Sequence, residues 1–110
     1  MARPLAVCRV DEIPEGRGRV VCLDDRPIAL FRDGDRIVAI DDRCPHAGAS
    51  LGRGWIEGGA VVCPLHRWRF SLGDGRCLWG GGPGDRVPLL PVEVREGWVW
   101  LVESSGGDRS

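Results

Sequence analysis

Apolar residues fall in short bursts along this chain, each closed by Gly, Pro or Asp. Leu5 to Val10, Arg19 to Leu23, Pro27 to Arg32 and Arg36 to Ile40 are rich in Val, Ile and Leu, as strands are. Asp33-Gly34 is a hairpin signal between the last two. Beyond Leu51, Ala60 to Cys63 and Arg69 to Leu72 read as short strands, and Asp74-Gly75 turns the chain into another over Arg76 to Trp79. Val92 to Arg95 and Trp98 to Val102 alternate as a half-buried hairpin joined by Glu96-Gly97. No segment has a convincing helical period. Many short strands with Gly and Pro turns predict an all-β sandwich or small barrel, interrupted by the loop Gly80-Gly81-Gly82-Pro83-Gly84.

The length of 110 residues suits one domain, over 1–104, followed by a polar tail over 105–110. The 17 glycines and 8 prolines make the chain rich in turns, while 43% hydrophobic content is enough for a core. A net charge of -1 provides no broad basic footprint, which argues against a nucleic-acid partner. No signal-like N-terminus and no apolar run near the roughly 20 residues of a membrane span is present, so the expectation is a soluble, cytoplasmic protein without a membrane partner.

The five cysteines, at 8, 22, 44, 63 and 77, lack the even, dense pattern of a disulfide framework. Cys8, Cys22 and Cys77 sit in strand-like surroundings and are expected to act as small buried hydrophobes. The other two stand beside the only two histidines. Cys44-Pro45-His46 and Cys63-Pro64-Leu65-His66 each offer one thiolate and one imidazole, with sixteen residues between His46 and Cys63. Ligands so spaced lie within about 7 to 11 Å along the chain, so each loop can reach two adjacent metal atoms. Two cysteines and two histidines could also hold one tetrahedral zinc, but zinc fingers usually pair like ligands on one loop. Mixed loops suit a dinuclear cluster with two cysteines on one iron and two histidines on the other.

On these residues the sequence resembles the Rieske ferredoxins and the related small subunits of nitrite reductases, whose signature is C-x-H, sixteen or seventeen residues, then C-x-x-H. The words Cys-Pro-His-Ala-Gly-Ala-Ser-Leu at 44 to 51 and Cys-Pro-Leu-His-Arg-Trp-Arg-Phe at 63 to 70, followed by Asp74-Gly75, reinforce it. Pro83 to Val94 looks like the segment that covers the cluster in such ferredoxins. The resemblance implies a layered antiparallel, three-layer β fold of the Rieske type with a two-loop cluster-binding subdomain at about 41–79. It implies one 2Fe-2S cluster held by Cys44, His46, Cys63 and His66, with histidine edges facing solvent. It also implies an electron carrier between a reductase and a terminal oxygenase, or alternatively a non-catalytic small subunit bound to a reductase large subunit. A redox-sensor module is a third reading, for which no output element is present.

Departures from the family pattern shape further expectations. Arg67 stands where the family usually has glycine, and an ordinary backbone conformation is expected for it. The respiratory branch has hydroxyl donors where this chain has Trp68 and Phe70, which implies a potential near the low end of the range of about -150 to +300 mV. That branch also links its loops by a disulfide at the positions of Ala49 and Leu65, so no such bridge can form here. With both histidines committed, none is left for a catalytic iron or to activate a nucleophile, so no catalytic residue is expected. Arg43, Arg53, Arg67 and Arg69 crowd the loops against Asp41 and Asp42, either as a docking patch or as a solvated face. Trp55 and Trp68 serve the same face or cover the cluster.

Overall fold

The computed structural model describes residues 3–23, 25–44, 48–80 and 85–103. Among these residues the strands are β1 (Arg3–Arg9), β2 (Gly18–Leu23), β3 (Arg26–Asp33), β4 (Arg36–Asp41), β5 (Trp55–Glu57), β6 (Ala60–Val62), β7 (Arg69–Ser71), β8 (Cys77–Trp79), β9 (Leu89–Leu90), β10 (Val92–Arg95) and β11 (Trp98–Glu103). Single 3-10 turns occur at Val10–Glu12 and Leu51–Arg53. No helix among the described residues is long and apolar enough to cross a membrane. The 105–110 tail and most of the glycine-rich loop, at 81–84, lie outside the described residues.

The strands form antiparallel sheets in the orders β1-β11-β10, β2-β3-β4-β9 and β5-β6-β7-β8. The second sheet is the middle layer, because both of its faces are covered. Ala29, Phe31, Val38 and Ile40 pack with Val61 and Phe70 of the third sheet. Ile28, Leu30 and Ala39 pack with Cys8, Val99 and Leu101 of the first. A strand buried on both faces needs an unbroken apolar run, and Ile28-Ala29-Leu30-Phe31 is one. Each large side chain buried there contributes about 1.5–3 kcal/mol relative to exposure.

The turn chemistry matches the sequence signals. Gly34, with φ at 63°, lies in the two-residue turn closed by the Asp33 and Arg36 pair. Glu96 and Gly97 both have positive φ in the turn closed by Arg95 and Trp98, the backbone a tight twisted hairpin requires. Two strands were not legible in the apolar pattern. β5 is three residues between Gly54 and Gly58-Gly59, and β9 is two residues held against the edge of β4. Elements this short show no alternation, and it is their pairing that makes them strands.

Candidate metal centre

Two loops that extend the middle and third layers meet at one end of the third sheet. The first leaves β4 and is closed as an irregular hairpin: Cys44 N–H donates to Ala49 O at 2.9 Å and Leu51 N–H donates to Asp42 O at 2.7 Å. Its base is fixed by the Asp42 carboxylate, which is 6% exposed and accepts the Gly52 N–H at 2.7 Å and the Ser50 hydroxyl at 3.0 Å. Asp42 is therefore an internal anchor rather than one of the surface charges that the sequence grouped with Asp41. The available signal was Ser50-Leu51-Gly52, which offers one hydroxyl and one unhindered N–H.

The second loop joins β6 to β7. Cys63 N–H donates to Trp68 O at 2.8 Å. The chain must reverse within the four residues between these two bonded positions. It does so with His66 at φ 68° and Arg67 at φ 60°, both in the left-handed region. This corrects the expectation of an ordinary backbone at Arg67: closure of the loop imposes the conformation, and the arginine bears its strain.

Cys44 and Cys63 are both fully buried, and their thiols are near enough to interact. Burial pushes the Cys63 thiol up to about 11, the neighbouring Cys44 thiol adds to the rise, and the Leu65 N–H opposes it. His66 is exposed on the same loop, and His46 lies outside the described residues. No group of three or more His, Cys, Asp or Glu side chains that could hold one ion is found among the described residues. What the structure brings together is a buried pair of sulfurs with an exposed imidazole three residues further along the chain.

The surroundings are apolar toward the core and cationic toward solvent. The Trp68 ring packs on Phe70 with centroids 6.3 Å apart, and neither side chain has a hydroxyl. Ala49 and Leu65 line an open hollow with Val20 and Arg53. Arg43, Arg53 and Arg67 are exposed and make no ion pair among the described residues, whereas Arg69 donates to Glu57 at 2.8 Å. The remaining cysteines divide. Cys8 is buried, which raises its thiol pKa, and Cys77 is half-buried. Cys22 is exposed, contrary to expectation, on β2, an edge strand in which only Leu23 is fully buried.

Comparison with known proteins identifies the family and the fold. The family model for the Rieske 2Fe-2S domain matches residues 3–91. The 3-phenylpropionate/cinnamic acid dioxygenase ferredoxin subunit of Photorhabdus laumondii is 39% identical over 102 residues, covering 91% of this chain and 94% of its own. A structure described as an NADH-dependent nitrite reductase small subunit from Mycobacterium tuberculosis superposes with a TM-score of 0.83 at 33% identity, covering 94% of this chain and 97% of that one. A chain in the complex of reduced oxygenase and oxidized ferredoxin in carbazole 1,9a-dioxygenase gives a TM-score of 0.79 at 31% identity, over 89% and 91% of the two chains.

Proposed function

Since the chain belongs to the Rieske 2Fe-2S domain family, we propose that it carries single electrons from a reductase to a terminal oxygenase, with Cys44, His46, Cys63 and His66 holding its cluster. The observation that carries this is the buried Cys44 and Cys63 thiol pair with His66 exposed on the same loop. The donor set fits the group: two sulfurs at one buried point, the His66 imidazole exposed on the second loop, and a second imidazole, His46, two residues from Cys44 in the sequence. A Rieske cluster supplies a centre that gains and loses one electron.

The chain's own residues set the conditions for that transfer. Cys44 and Cys63 keep the sulfur end away from water, and His66 provides an edge that a partner can approach. Trp68 and Phe70 exclude water and donate no hydroxyl hydrogen bond, which favours a potential near the low end of the Rieske range, about -150 mV. Within the domain at 1–104, the cluster-binding subdomain is 41–79. The chain is a carrier rather than a complete enzyme, since both of its histidines are assigned to the cluster. The free cysteines suit a reducing compartment, the cytoplasm.

A second reading is a small subunit held permanently in a nitrite reductase-like complex. It is favoured by Leu5, Val94 and Trp98, large apolar side chains left exposed on the β1-β11-β10 sheet, which does not bear the loops. An anaerobic titration tests the carrier reading. The purified protein should take up one electron per chain near the low end of the Rieske range and return it without turning over a substrate. Isolation only as a stoichiometric complex with a large subunit would select the second reading.

A further inference from the structure

On the outer face of the third sheet, the row nearest the loops reads Trp55, Val62, Arg69, Trp79 across β5, β6, β7 and β8. Directly paired residues share a face. Val62 is buried yet belongs to neither core, because this row covers it from the solvent side. Glu57 fixes the row. Its carboxylate accepts from Trp55 Nε1 and from the Arg69 guanidinium, each at 2.8 Å, and these bonds hold it below the usual carboxylate range.

At the β8 end of the row, Arg67, Arg69 and Trp79 line a cleft of about 260 Å³. Trp79 is 60% exposed, the most open of the large apolar side chains among the described residues, although it is the residue type most often found as an interface anchor. Two guanidiniums face one carboxylate here, and that carboxylate is already engaged, so the cleft has an uncompensated positive charge. Arg67 makes no ion pair of its own among the described residues, and its charge reaches Glu57 only at longer range. The cleft is also tied to the redox end of the molecule. Arg67 follows His66, and the strand bearing Trp79 is followed by Gly80, which lies against the Trp68 indole.

We propose that this cleft is the seat for an acidic face of the redox partner, whose carboxylates pair with Arg67 and Arg69 while an apolar surface closes over Trp79. The inference rests on the carrier reading and adds the side and the charge of docking. An interface of even modest size, several hundred Å² per partner, centred on His66 must include residues one and three positions away. An acidic partner is the one whose approach these arginines accelerate, and the field that steers it is screened by salt. The hollow on the other side of the second loop sets its one cation, Arg53, among Asp42, Ser50 and apolar side chains, and lacks this complementarity.

The test is stopped-flow oxidation of the reduced holoprotein by ferricyanide, an anion, and by hexaamminecobalt(III), a cation, each accepting one electron per chain, from low to high salt. The ferricyanide rate should fall as salt rises and the cobalt rate should climb. Arg67→Glu and Trp79→Glu should each slow ferricyanide about tenfold at low salt. Arg95→Glu, in the β10–β11 hairpin of another sheet, should leave both rates unchanged. The visible spectrum of each variant reports its cluster before mixing. A protein with no reducible cluster overturns the carrier reading and this inference with it. A reducible protein that reacts equally with both oxidants, or faster with the cation at low salt, overturns this inference alone.

Discussion

Gly80 lies so close to Trp68 that a Cβ built on it would sit 2.6 Å from Cδ1 of the indole. The contact links the end of β8 to the loop of Cys63 and His66, because the Trp68 carbonyl accepts the Cys63 N–H. Position 80 also has φ at 101°, a conformation open only to glycine at low cost.

Gly80→Ala is therefore expected to push Trp68 off the loop and lower stability by about 2–4 kcal/mol, overpacking and backbone strain together. The check is a urea midpoint alongside the rate at which a chelator strips iron. Both should worsen, and the chelator should act more strongly here than on Gly73→Ala in the β7–β8 turn.

Asp42 gives a second expectation. Removing its carboxylate leaves the Gly52 N–H and the Ser50 hydroxyl without their acceptor at the base of the first loop. Asp42→Ala should cost about 2–3 kcal/mol by chemical denaturation. Asp42→Asn should recover part of this, since its amide oxygen can still accept.

The layered architecture was legible in the apolar bursts, because Ile28 to Phe31 and Val38 to Ile40 are buried whichever face they turn to. The donor pairs were legible in their spacing. What the pattern could not carry was short or set by closure. β5 and β9 exist through their partners, Asp42 looks like any surface aspartate until Gly52 is folded beneath it, and the backbone at Arg67 follows from the Cys63–Trp68 hydrogen bond rather than from residue preference.

That backbone predicts a gain from simplification. Arg67→Gly should relieve left-handed strain and raise stability by up to about 1 kcal/mol, whereas Arg67→Ala, which keeps the Cβ, should not. Thermal unfolding of the two variants separates them. Both should also lose part of the preference for ferricyanide, since both remove the guanidinium.

Acid should weaken the fold through groups whose pKa is lowered in the native state. Glu57 is held down by Trp55 first and Arg69 second, and Asp74 by the Arg76 N–H. A lowered folded-state value adds stability that is present above the unfolded pKa and is lost as pH falls through the folded one, so the loss should set in below about pH 4. Both groups are solvent-exposed, so the slope should be shallow. Urea midpoints between pH 7 and pH 3 should show it, with less decline in Glu57→Gln.

The central claim is that two cysteines and two histidines of this chain hold a pair of irons at the loop end. Electron paramagnetic resonance of the reduced protein, with nitrogen couplings resolved by electron–nuclear double resonance, tests it most directly. The account predicts a 2Fe-2S signal coupled to two imidazole nitrogens, lost when His66 is replaced by alanine. A 2Fe-2S signal without nitrogen coupling, or a protein containing zinc and no iron, would contradict it.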